Sequence, residues 1–279
     1  MTLEKTGDPV APRQIDEPQP WVQMLAMMQM PFEFGAFLAA TPLLPALERG
    51  DGHPVLVMPG FMGGDSSTLP LRYHLKLWGY DVHGFGDRPN PGPTPRVLDE
   101  LNQLLVSIHR RTGRTVSLVG WSAGGRYARY LARQHPEAVR QAITLAAGLQ
   151  HRAGTDRSSI SFVVDRIKHL WDPEFASQPD HVQGPLPTPS TSVYSRSDGV
   201  VRWHACLDVV DELHENVEVY ASHVGIGVNP SVLFLIADRL AQPEEQWQPF
   251  APPVCLRSLY PPAPTWQPEH NWVTAPSLR

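Results

Sequence analysis

A mostly parallel α/β sheet of about six strands, with helices on both faces and an inserted cap, is the architecture this sequence predicts. Three observations carry it: short, wholly apolar runs, amphipathic stretches of ten or more residues between them, and one long lapse in that alternation. Taken in order, Val55–Met58 is an uninterrupted apolar run closed by Pro59-Gly60, as expected of a strand buried on both faces. Residues 66–78 have helical spacing with Ser66 or Ser67 as the cap, and Tyr80–Phe85 suggests a second strand. Residues 94–112 place Val97, Leu98, Leu101, Leu104, Leu105 and Ile108 on one helical face, with Gly113 just beyond.

Val116–Gly120 is the next buried strand, followed by a helix over 123–134 and a strand-like run from Val139 to Ala147. The alternation lapses over about 149–190, where Ile160, Val163, Val164, Ile167, Leu170 and Trp171 form an apolar helical stripe before a Pro-rich loop. Strand character resumes at Thr191–Tyr194 and at Val217–Tyr220, and a last helix covers 230–241. Between these last strands a helix is expected, with Asp208 and Asp211 on its polar face and His204 and His214 within it or at its end.

The predicted organisation is a tail and helical arm over residues 1–50, one α/β domain over 51–242 interrupted by the cap, and a Pro/Trp-rich strap over 243–279. Residues 1–18 are polar, with prolines at 9, 12 and 18, and read as disordered. Residues 20–48 read as one or two Met- and Leu-rich helices that cover the domain or meet lipid and substrate. Pro31, Glu33, Pro42 and Pro45 interrupt the apolar stretch Trp21–Leu47, whereas a membrane span needs about 20 nearly unbroken apolar residues. The N-terminus carries more acid than base, the wrong sign for a signal peptide, so the expected location is cytoplasmic.

Composition excludes other classes. The formal net charge is -5 with no basic stripe, so nucleic acid is not an expected partner. Two cysteines are too few for a disulfide framework and lack metal-ligand spacing; they read as buried thiols, with a Cys206–Cys255 bridge left open. His53, His74 and His83 form no H-E-x-x-H or His/Cys pattern, so no metal is expected.

The chemistry-bearing motif is Gly120-Trp121-Ser122-Ala123-Gly124, which fits G-x-S-x-G. It stands directly after a buried strand and directly before a helix. In that setting the serine occupies a sharp turn above the carboxyl end of the sheet, and the helix start favours negative charge. Over roughly residues 50–240 the chain therefore resembles the α/β-hydrolase family of lipases and esterases, in its compact form. The resemblance implies the order serine, acid, histidine.

Ser195-Arg196-Ser197-Asp198-Gly199-Val200-Val201 resembles the S-x-x-D-G-x-V stretch of many lipases and makes Asp198 the acid. Some relatives hold the acid one strand earlier, but Ala146–Gln150 contains no carboxylate. Of the twelve histidines, His223 in the loop before the last helix stands where the family keeps its base. Pro59–Gly64 resembles the His-Gly loop of lipases, with Pro59 where histidine is commoner. The resemblance assigns the oxyanion donors to the amides of Ala123 and Phe61, with Met62 the alternative in another loop register.

The expectation is thus a serine hydrolase cleaving carboxylic esters, small-molecule or lipid, without a cofactor. Met62, Trp121 and Val224 beside the site, and Phe162 and Trp171 from the cap, would line its acyl pocket. Peripheral contact with lipid is compatible with the Met-rich arm, and oligomeric state is not legible. The same residues would equally serve an acyltransferase, thioesterase or amidase, and a non-catalytic scaffold of this fold is the reading from a different class.

Overall fold

The computed structural model describes residues 20–47, 49–149 and 184–262, with the side chains of 20–27 left aside. The N-terminal tail, most of the expected cap, including Phe162 and Trp171, and the end of the strap lie outside the described residues.

Six parallel strands form one sheet: β1 Pro54–Met58, β2 Asp81–His83, β3 Val116–Trp121, β4 Val139–Leu145, β5 Ser190–Tyr194 and β6 His214–Glu218, in the order β2-β1-β3-β4-β5-β6. The chain moves outward from β1 to β2 and then returns to the other side of β1 to lay down β3. The strand order reverses there, and the carboxyl ends of β1 and β3 face a common crevice.

Among the described residues five α-helices accompany the sheet: α1 Pro20–Ala40, α2 Leu69–Leu77, α3 Pro95–Thr112, α4 Ala123–Gln134 and α5 Pro230–Ala241. Alternate strand residues divide the core between the two faces. Val55, Val57, Val119 and Ile143 pack with Phe37 of α1, Leu71 and Leu75 of α2, and Leu233 and Ile236 of α5. Leu56, Met58 and Leu118 pack with Leu98, Leu101 and Leu105 of α3 and with Tyr127 and Leu131 of α4. No described helix is long and apolar enough to cross a membrane.

Local chemistry sets the boundaries. Thr94 caps α3 by accepting the Val97 N–H at 3.3 Å, and Asn229 caps α5 by accepting that of Ser231 at 2.9 Å. Before α2 the chain makes a 3₁₀ turn over Asp65–Thr68, so the helix proper begins at Leu69, later than the expected cap at Ser66 or Ser67. The arm, described over 20–47, holds one long helix and a short 3₁₀ turn, Leu44–Ala46.

Expectations for the segments after Asp198 are corrected. The last strand runs over His214–Glu218 rather than Val217–Tyr220. Apart from Val217, its buried side chains are polar, so it carries no apolar run. Glu215 binds Arg239 and Thr191, and Glu218 accepts from Tyr194 and Arg196. The segment after Asp198 holds a single 3₁₀ turn, Trp203–Cys206, in place of the expected helix. The β-branched pairs Val200-Val201 and Val209-Val210 disfavour helix there. Asp208 turns inward to a buried ion pair with Arg129, while Asp211 partners His214.

Both cysteines are unpaired. Cys206 is buried, and Cys255, expected to be buried too, is exposed in the surface turn Val254–Leu259.

Candidate active site

β3 ends at Trp121 and α4 starts at Ala123, so Ser122 alone makes the turn between them. Its φ of 54° and ψ of -118° hold an L-residue where side chains are rarely tolerated, at a cost on the order of 1–3 kcal/mol. The turn is pinned from both sides: Ser122 N–H donates to the Leu145 carbonyl at 2.8 Å, and Gly125 N–H to the Ser122 carbonyl at 3.0 Å. The flanking glycines are required by contact. A Cβ on Gly120 would collide with the backbone of Gly124, and one on Gly124 with the Met58 carbonyl.

The loop from β6 to α5 brings His223 over the serine, with Nε2 3.1 Å from Ser122 Oγ. Its Nδ1 lies 2.7 Å from Asp198 Oδ2, in the loop after β5. An ionised carboxylate can only accept, so this contact places the ring hydrogen on Nδ1 and leaves the Nε2 lone pair facing the hydroxyl. The other carboxylate oxygen accepts the N–H groups of Val200 and Val201 at 2.7 and 2.8 Å, which fixes its plane. Asp198 and His223 are buried, and Ser122 is half-buried. The three residues singled out in the sequence are therefore brought together in one hydrogen-bonded line.

Trp121, expected in the pocket, is half-buried and donates its indole N–H to the His223 carbonyl at 3.0 Å, which supports the histidine loop. Met62 and Val224 are exposed. His204 stacks on Trp203, and His214 hydrogen-bonds to the Leu186 carbonyl at 3.0 Å. His53, His74 and His83 are engaged by Ser117, the Pro70 carbonyl and Asp81 respectively. Among the described residues no group of three or more His, Cys, Asp or Glu could hold a metal ion.

Two contributors were missed in the sequence. Asn90, fully buried, donates to the carbonyls of Pro59 and Gly60 at 3.1 and 3.3 Å. Its backbone closes the same loop: Asn90 N–H donates to Gly63 and its carbonyl accepts from Met62, each at 2.8 Å. Asn90-Pro91-Gly92 is a legible turn signal, but nothing local names the partners. Glu33, on α1, contacts Ser222 beside the histidine.

No family model matches the chain. Among solved structures, the Bacillus licheniformis lipase BlEst2 in propeptide form superposes with a TM-score of 0.51 at 17% identity, over 73% of this chain and 52% of that one. Aspergillus fumigatus lipase B gives 0.50 at 16% identity, over 68% and 52%. The match thus spans about half the length of each of these structures. A stretch of 66 residues is 36% identical to the biotin biosynthesis bifunctional protein BioHC of Teredinibacter turnerae, covering 24% of this chain and 11% of that protein. The all-parallel sheet with its reversal at β1 and β3, and these likenesses, define the fold: the chain has the α/β-hydrolase fold.

Proposed function

We propose that this protein is a serine hydrolase that cleaves carboxylic esters through an acyl-enzyme. The observation that carries the reading is the unbroken line from Ser122 Oγ through His223 to Asp198, built on a strained turn at the head of a helix. His223 Nε2 takes the hydroxyl proton as Ser122 Oγ attacks the ester carbonyl carbon. The imidazolium is held by Asp198, then returns the proton to the alkoxide as the C–O bond breaks and the alcohol leaves. Water repeats the sequence, releasing the acid and restoring Ser122.

The tetrahedral oxyanion needs donors. Ala123, first residue of α4, has an N–H with no acceptor inside its own helix, and it is the first donor. The resemblance to lipases assigns the second donor to the Phe61 amide; the Met62 amide, the alternative, donates to the Asn90 carbonyl at 2.8 Å.

The test is hydrolysis of p-nitrophenyl esters of graded acyl length by wild type and Ser122→Ala, with fluorophosphonate labelling alongside. Turnover and labelling in wild type, both lost in the folded variant, are expected. A wild type inert to every ester and to the fluorophosphonate would overturn the reading.

A further inference from the structure

The 21-residue helix α1, Pro20–Ala40, contains one charged residue, Glu33, and its carboxylate is directed at the loop that carries His223. Oε1 accepts the Ser222 N–H at 2.6 Å, and Oε2 accepts the Ser222 hydroxyl. The same hydroxyl accepts the Gly225 N–H at 3.0 Å, so one serine relays the carboxylate to both sides of His223. Glu33 approaches so closely that any Cβ on Gly225 would collide with it. Ser222 is 2% exposed, so these bonds lie out of bulk water, where a missing partner is costly. A polar helix face seeking solvent does not account for this: the neighbours Phe32 and Phe34 are exposed while the charged residue turns inward.

We infer that Glu33 is a positioning residue for the base: the arm preceding the α/β sheet supplies a carboxylate that sets the height and tilt of His223 through Ser222. The inference rests on the acyl-transfer reading above. The histidine is then held from three directions. Asp198 grips Nδ1, the Trp121 indole grips its carbonyl, and Glu33 grips the residue before it. These contacts orient the imidazole, so loosening Glu33 is expected to act on the proton-transfer geometry and to show in kcat and not in KM.

The experiment compares full-length wild type, Glu33→Gln, Glu33→Ala, Ser222→Ala and the double variant Glu33→Gln/Ser222→Ala, by ester hydrolysis and thermal unfolding. Glu33→Ala lowers kcat about 10- to 100-fold with KM within about twofold, the loss typical of a misplaced reacting group. Glu33→Gln keeps an acceptor for the Ser222 N–H but strands the Ser222 hydroxyl proton, so it falls between wild type and the alanine variant. Removing that hydroxyl relieves the conflict, and Glu33→Gln therefore costs less kcat in the Ser222→Ala background than in wild type. A helix that merely packs would show no such coupling. If Glu33→Ala does not fold, the glutamine variant and the cycle decide alone. Unchanged kcat in folded Glu33→Gln, or additive effects in the cycle, overturns the inference while wild-type turnover stands. A wild type without turnover overturns instead the reading it rests on.

Discussion

The Tyr127 hydroxyl donates to Asn90 Oδ1 across 2.8 Å, joining the helix that begins beside Ser122 to the loop that would bind the oxyanion. Burial pushes the Tyr127 phenol far above its ordinary range, so it remains a donor throughout the useful pH range. The Gly92 N–H, 3.0 Å away, satisfies the same oxygen, while the amide nitrogen holds two carbonyls of the loop. The residue after the nucleophile and the loop opposite it are thereby kept in register by one buried side chain.

Asn90→Ala therefore takes the side-chain acceptor from the Tyr127 hydroxyl and the Gly92 N–H and the side-chain donor from the Pro59 carbonyl, while the Gly60 carbonyl keeps the Gly63 N–H. Each buried group left without a partner costs about 1–3 kcal/mol. The expected outcome is a clear fall in melting temperature and a loss of kcat of about 100-fold, the size expected when one oxyanion donor is misplaced. Tyr127→Phe leaves Gly92 on the acceptor and should cost about 1 kcal/mol with kcat nearly intact. Equal kcat losses in the two variants would remove Asn90 from this role.

Asp198→Asn replaces the acceptor facing His223 Nδ1 with an amide that can turn its NH₂ there, favouring the tautomer with hydrogen on Nε2. The lone pair facing Ser122 is then lost while the fold is kept. We expect kcat to drop about 10⁴-fold with KM little changed, measured on the best p-nitrophenyl ester. A loss under tenfold would move the acid elsewhere.

The parts of this molecule legible in the sequence are those written as periodicity or as a local motif. β1 and β3 are largely apolar because both faces are covered, and α3 shows its stripe through Val97 to Ile108. The turn at Ser122 is readable because contact forbids a side chain at Gly120 and Gly124. What was not legible is polar and long-range. β6 is buried yet reads His-Glu-Asn-Val-Glu, its charges met by Arg239 and Arg196. Asp208 looked like a surface residue, and its partner Arg129 lies on α4. Glu33 reaches a serine 189 positions later in the chain. Such pairs leave no spacing to count, and only the folded geometry names them.

Gly124→Ala tests the close approach directly. Its methyl would meet the Met58 carbonyl, which belongs to β1, paired with strands on both sides, and cannot move aside cheaply. Overpacking of this kind costs about 1–3 kcal/mol and would push α4 and Ser122 out of line. We expect lower thermal stability and slower fluorophosphonate labelling than wild type. Gly227→Ala, where the added methyl meets nothing within 4 Å, is the control expected to do neither. Matching behaviour of the two variants would discard the packing argument.

At the other end of the sheet stands a second Ser-His-Asp line with a different consequence. His53 Nδ1 lies 2.5 Å from Asp51 Oδ1, and Nε2 lies 2.8 Å from Ser117 Oγ. His53 and Ser117 are fully buried, so no substrate reaches that hydroxyl. Burial, with Arg140 and Arg114 nearby, outweighs the Asp51 carboxylate and lowers the His53 pKa from 6.5 to about 4. Burial acts to raise the Asp51 pKa, but the hydrogen bonds from His53 and Arg140 prevail and hold it below the usual carboxylate range.

For a histidine kept neutral in the fold, the stabilisation is complete above the unfolded value of 6.5 and is lost as pH falls from there toward about 4. Between pH 7 and pH 5 this amounts to about 2 kcal/mol from His53 alone. Asp51 adds its loss only below the ordinary carboxylate range. Urea unfolding at the two pH values should therefore show wild type losing about 2 kcal/mol more than His53→Gln, which can bond to Ser117 but has nothing to protonate. Equal losses in the two proteins would mean that His53 is not the group whose charging weakens the fold in mild acid.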